Sequence, residues 1–192
     1  MRFIGVTVFF SLLLLQAQAQ TSTPYLPANY PSTGMPVNYV RTWEALKPES
    51  NTGNITTASV IKDFRMTTQY LDGLGRPIQT VIKQGNSAMY YPLKDMVSAI
   101  VYDEFGRESY KFLPFGATGA GGNSSIDDGG FKLNPFEQQA YALSNSFVLS
   151  PIIGQGENYL YGMTKFEASP LNRVTETFAP GNSWMGTADE TL

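Results

Sequence analysis

A short turn signature recurs along the chain and constrains it more than any bulk property. Arg76 and Arg107 lie 31 residues apart, and Arg173 follows 66 residues later, close to two further periods. Four residues before each arginine stand Asp72, Asp103 and Ser169, and immediately before it stand Gly75, Gly106 and Asn172. The shared pattern is [DS]-x-x-[GN]-R. Asp and Ser at the start of a turn accept hydrogen bonds from backbone N–H groups two residues on, while Gly and Asn tolerate positive φ. The motif therefore specifies chain reversal. The arginine, planar and rich in donors, is suited to lie over a neighbouring aromatic ring or to hold carbonyls of the adjacent turn. This structural role is favoured over a catalytic one for all nine residues.

The flanking segments fit hairpins. Phe64, Met66, Thr68 and Tyr70 alternate with Asp63, Arg65, Thr67 and Gln69, the period of two of a half-buried strand. A second strand runs from Ile78 to Lys83. The apolar run Met96 to Tyr102 and the strand Glu108 to Leu113 flank the second turn, and Phe112 and Pro114 are matched in the third copy by Phe178 and Pro180. Repetition at this spacing predicts a mainly β chain of antiparallel hairpins, near 60–84, 96–115 and 159–180, forming a twisted sheet or shell segment.

Three other stretches have their own character. Residues 20–38 carry Pro24, Pro27, Pro31 and Pro36 among small polar residues, which predicts an extended tether or an early surface strand. Residues 116–130 are rich in Gly, Asn, Ser and Asp, which predicts a flexible surface loop. Asn134-Pro135-Phe136-Glu137 combines an N-cap residue, a proline at the first helical position and an acid at the third, so one short helix is expected near 135–145.

At the N-terminus, Arg2 precedes an apolar run from Phe3 to Leu15 and the triplet Ala17-Gln18-Ala19. The run is shorter than the roughly 20 residues a membrane-crossing helix requires, and the small-x-small ending predicts a secretory signal peptide over 1–19, cleaved after Ala19. A secreted or cell-surface location follows, with residues 39–192 as one β-rich domain.

Composition narrows the chemistry. The chain contains neither cysteine nor histidine, so thiolate nucleophiles, histidine bases and zinc sites built on either residue are excluded. The formal charge is −3, with the 13 basic residues scattered among 16 acids, which disfavours nucleic acid and anionic membranes as partners. No cofactor, metal or catalytic residue is expected. Asp127-Asp128 is an adjacent carboxylate pair without the spatial information a glycosidase dyad requires. The stretch Ser125 to Gly130 lacks the ligand spacing of an EF-hand calcium loop. Asn54-Ile55-Thr56 and Asn123-Ser124-Ser125 fit a glycosylation pattern that loop composition alone produces.

Four stretches resemble a known family. These are Asn38 to Trp43, Gln69 to Val81 with its central Leu71-Asp72-Gly73-Leu74-Gly75-Arg76, Val101 to Ser109, and Phe166 to Val174. They are similar to RHS/YD-repeat proteins, and specifically to the N-terminal domain of unknown function that precedes the repeats in Bacteroidota-type members. The resemblance implies a non-catalytic exported scaffold, the start or plug of a β-shell of the kind that carries toxin payloads or builds cell surfaces. It also implies that the partners are downstream YD repeats of the same or a neighbouring chain, and that this chain is a fragment lacking core and payload. A surface carbohydrate-binding or adhesion module is the alternative, because eleven Tyr and two Trp are available to stack on glycans.

Overall fold

The computed structural model describes residues 24–33, 36–86, 93–144 and 156–185. The signal-peptide reading of residues 1–19 lies outside them. Eight strands form one antiparallel sheet: β1 (Asn38–Ala45), β2 (Phe64–Leu71), β3 (Pro77–Asn86), β4 (Lys94–Tyr102), β5 (Glu108–Phe112), β6 (Phe115–Gly116), β7 (Tyr161–Phe166) and β8 (Val174–Phe178). Among the described residues one α-helix, α1 (Pro135–Ser144), interrupts them. The spatial order is β1-β2-β3-β4-β5-β7-β8, with β6 paired to β4 beyond the end of β5. The chain is therefore mainly β, a meander whose hairpin turns β2/β3, β4/β5 and β7/β8 fall on the same side of the sheet.

On β2 the alternation in sequence becomes alternation in burial: Phe64, Met66, Thr68 and Tyr70 face inward, while Arg65 and Gln69 are exposed. β3 breaks that rhythm, because Ile78 and Gln79 are both buried. The cause is a bulge. Tyr70 pairs with Gln79 and Leu71 with Pro77, so Ile78 has no partner across the strand pair. The same slip skips Ser109 in the second hairpin and Thr175 in the third. In each case the skipped residue lies two positions beyond the turn arginine. A bulge of this kind adds twist and bend at a fixed point of every hairpin.

Two apolar clusters fill the inner face. The first joins Tyr70, Ile78, Val81, Val97, Phe115 and Ala117. The second joins Ala99, Phe112, Phe136, Tyr161 and Met185, so that α1 covers the sheet through Phe136. Their aromatic members meet at tilted and edge-on angles, for example Phe112 with Phe136 at 4.7 Å and Tyr70 with Phe131 at 5.1 Å, arrangements the ring quadrupole favours.

Two expectations require correction. The proline-rich segment is neither a free tether nor a strand. Tyr25 stacks on Tyr110 at 4.4 Å and its N–H donates to the Tyr161 hydroxyl, while Tyr30 packs on Phe131 and Phe136 and its N–H donates to Leu133 O. Proline fixes an extended backbone, and the tyrosines between the prolines supply the apolar area that glues it down. The surface strand that does occur early is β1, which follows this segment.

The Gly-rich stretch is also less exposed than its composition suggests. Ala117, Thr118 and Ala120 are buried: Ala117 packs in the first apolar cluster, and Gln138 Oε1 on α1 accepts from Thr118 N. The helix expected near 135–145 is present as α1, and the Asn134 amide at its start ties the preceding loop to the first turn. Its Nδ2 donates to Ala120 O and to Glu137, and its Oδ1 accepts from Gln138 Nε2.

Candidate functional site

Each of the first two turns is a three-residue loop closed by the backbone. Asp72 N donates to Arg76 O and Gly75 N to Asp72 O, and Asp103 and Gly106 repeat this at Arg107 and Asp103. Gly75 and Gly106 sit at φ 79° and 78°, the left-handed residue that follows a type I turn in such loops. The aspartate then organises the loop. Asp72 Oδ1 accepts from the N–H groups of Leu74 and Arg76, both at 2.9 Å, and Oδ2 accepts from Arg76 Nε at 2.8 Å. Asp103 makes the corresponding bonds to Phe105 N, Arg107 N and Arg107 Nε. Burial would raise both carboxyls, but the N–H donors and the adjacent guanidinium outweigh it and hold both below the usual carboxylate range.

The third turn is built differently. Asn172 occupies φ 52° and its N–H donates to Ser169 O, so these two residues hold the Gly and Asp backbone positions. Closure, however, runs from Glu167 N to Arg173 O, two residues earlier than the aspartate register. Glu167 also supplies the carboxylate, with both oxygens 3.0 Å from Arg173 Nε and Oε1 accepting from Ser169 Oγ at 2.6 Å. These bonds, led by the Arg173 side chain, hold the Glu167 carboxyl below its ordinary value. A serine cannot neutralise an arginine, and the longer loop brings in an acid that can.

The turns are linked in a directional ladder. Arg76 Cζ lies 4.5 Å above the ring of Tyr102, the residue before Asp103, and the Tyr102 hydroxyl donates back to Pro77 O at 2.9 Å. Arg107 Cζ lies 4.6 Å above the ring of Phe166, the residue before Glu167, and its Nη1 donates to Glu167 O and Asn172 Oδ1. Each guanidinium is thus clamped by its own acid and laid on the aromatic of the next turn. Leu71, which precedes the first acid, takes no guanidinium from an earlier turn of this class among the described residues. Among the described residues, Arg173 meets Glu167 alone, and its side chain is 70% exposed against 18% for Arg107. The turn tips Leu74, Phe105 and Leu171 are exposed large apolar residues at the same position in each turn.

Two aromatic rungs and the third acid are functional parts that the spacing of Asp, Gly and Arg did not single out. The signal for Tyr102 and Phe166 was present as an aromatic one residue before the acid. Glu167 is hidden because Ser169 stands where the other two turns have their acid.

A second polar constellation lies within the fold. Asp95, at the start of β4, and Lys132, before α1, are fully buried and meet at 2.7 Å. Gln79 holds the backbone of Lys132 from both sides, accepting from its N–H at 2.8 Å and donating to its carbonyl at 3.0 Å. Asp128, of the adjacent carboxylate pair, is 3.4 Å from Lys132 Nζ. An ammonium thus stands where the acidic loop 125–130 converges. Among the described residues no group of three or more His, Cys, Asp or Glu is arranged to hold a metal ion, and no helix is long and apolar enough to cross a membrane.

At the β1 edge, Tyr39, Arg41 and Trp43 share one face, with Arg41 Cζ 5.0 Å from the Tyr39 ring and 6.0 Å from Trp43. The indole Nε1 of Trp43 is buried without a hydrogen-bond acceptor.

No curated protein and no solved structure matches the chain. Residues 41–191 match the family model described as a domain of unknown function, DUF6443, a span that takes in all three turns, the ladder and the buried lysine; the chain belongs to that family.

Proposed function

We propose that this domain is a non-catalytic, exported scaffold: the first segment of a sheet of RHS/YD-type hairpins, on which a further hairpin of the same turn class is laid. The observation that carries this reading is the direction of the arginine ladder. Two successive turns each pass a guanidinium to an aromatic in the following hairpin, and the third presents Arg173 clamped but uncovered. Among the described residues β8 beside it is an edge strand, with four of its five residues exposed. An unpaired row of N–H and C=O groups is a template for another strand. The fitting partner is a hairpin, in the same or a neighbouring chain, with an aromatic residue immediately before its turn acid. Cell-surface or toxin-delivery roles rest on the family resemblance.

The test compares residues 20–192 with the same chain extended after Leu192 by one D-x-x-G-R hairpin carrying that aromatic. Light scattering is expected to show the shorter chain self-associating and the longer one monomeric, with a higher melting temperature that the substitution Arg173→Ala removes. A monomeric shorter chain with no gain on extension would overturn the proposal. Glycan-array binding by the shorter chain, lost on substitution of Tyr39 or Trp184, would favour adhesion instead; both side chains are exposed.

A further inference from the structure

Burying an ion pair gains little over an apolar pair of the same volume, because desolvation consumes most of the attraction. The pair of Asp95 and Lys132 is buried completely, 0% exposed on both sides, so its retention calls for a reason beyond attraction. The surrounding groups suggest one. The two oxygens of the Asp95 carboxyl are held by separate backbone donors, Oδ1 by Gln84 N at 2.9 Å and Oδ2 by Gly129 N at 2.8 Å. Lys132 Nζ touches Oδ2 at 2.7 Å and Ser125 Oγ at 2.9 Å. Ser125 Oγ in turn donates to Asp128 Oδ1 at 2.6 Å, and the Asp128 side chain is 59% exposed. An amine, a carboxyl with both oxygens fixed, and a two-member proton relay opening to solvent are therefore assembled at one point.

We infer that Lys132 and Asp95 condense into an intramolecular isopeptide bond. The first step is transfer of one ammonium proton from Nζ to Oδ2 across the 2.7 Å contact, which frees the nitrogen lone pair. Nζ attacks Cγ of Asp95; the developing oxyanion on Oδ1 is met by the Gln84 N–H already in place, while Oδ2, held by Gly129 N, carries the proton and is the oxygen that leaves. The extra proton on nitrogen passes through Ser125 Oγ to Asp128. Asp128 returns it to the departing hydroxyl, the Cγ–O bond breaks and one water leaves. The balance is acid plus amine giving amide plus water, with no oxidant or other reactant. Asp128 is suited to the relay: burial would raise its carboxyl, but in the resting pair the Ser125 hydroxyl, Gly130 N and the Lys132 charge outweigh burial and hold it below the usual range, and the first two remain in place once the amine has lost its proton. Exclusion of water from the pair protects the amide from hydrolysis.

The bond would tie β4 to the segment entering α1, across 37 residues, in a chain that has no cysteine for a disulfide. It rests on the geometry of this pair and is independent of the scaffold proposal.

The experiment is the intact mass of the folded chain after incubation at neutral pH, followed by tandem mass spectrometry of a tryptic digest. The expected result is a mass lighter by one water and a branched peptide joining Asp95 to Lys132, with trypsin unable to cut after Lys132. Lys132→Arg should keep the charge and show the full mass. Asp128→Asn should fold, by circular dichroism, and accumulate the lighter form more slowly. A folded chain of full mass overturns the inference. So does a lost water that maps to a hydroxylamine-sensitive succinimide at Asp72-Gly73 or Asp128-Gly129, or a Lys132→Arg variant that is equally light.

Discussion

Gly75 and Gly106 share a φ near 79° yet differ in what surrounds them, which makes them a matched pair for measuring the ladder. A Cβ on Gly75 would meet no atom within 4 Å, so Gly75→Ala should cost only the left-handed backbone penalty, about 1–2 kcal/mol. A Cβ on Gly106 would stand 2.5 Å from Arg76 Nη1. That atom is the far end of a flexible side chain, so it moves and takes the guanidinium off Tyr102. The stack is partly solvent-exposed, and its loss adds about 0.5–1 kcal/mol. In a domain of this size each kcal/mol lowers the melting temperature by about 2–4 °C. Gly106→Ala should therefore melt about 1–4 °C below Gly75→Ala, by calorimetry or circular dichroism. In an Arg76→Ala background the two alanine substitutions should become equivalent, because the atom they differ over is gone. Equal losses in the native background, or a difference that persists without Arg76, would refute the ladder as a coupling between turns.

Acid should loosen the turns. The carboxyls of Asp72, Asp103 and Glu167 are depressed in the folded chain, so their contribution is full above the unfolded carboxylate pKa of about 4 and is lost as pH falls through the lower folded values. A melting temperature that declines across this range, with a shallower decline in Asp103→Asn, would be seen in a pH series of thermal melts. Trp43→Phe removes a buried indole donor that has no acceptor. It should be neutral or stabilising by up to about 1 kcal/mol in urea unfolding, where loss of a satisfied hydrogen bond would instead destabilise.

The hairpins are readable in the sequence because their causes are local. Alternation on β2 and a turn that needs both an acid and a positive-φ residue each operate within a few positions of chain. What the sequence conceals is distant. Tyr25 and Tyr30 sit among prolines, and that composition describes their own backbone while saying nothing of Tyr110, Tyr161 or Leu133, against which they pack. Glu167 was hidden because the length of the third loop changes the register between turn and clamp. Lys132, a single cation between Phe131 and Leu133, carries no periodic signal, and its partner lies on another element.

The docking of residues 24–33 also bears on how the chain reaches its native state. The N–H of Tyr25 finds the Tyr161 hydroxyl across 136 residues, and Tyr30 reaches past the whole first and second hairpins to Leu133. Local hairpins close in microseconds, whereas contacts of such separation wait on loop-closure entropy. This early segment is therefore among the last to find its place, and its Tyr25 bond forms only after β7 exists. Until then the faces of Tyr110, Phe131 and Phe136 that it covers stand open, so a folding time course should show hairpin formation first and the quenching of tyrosine exposure as a separate, slower phase.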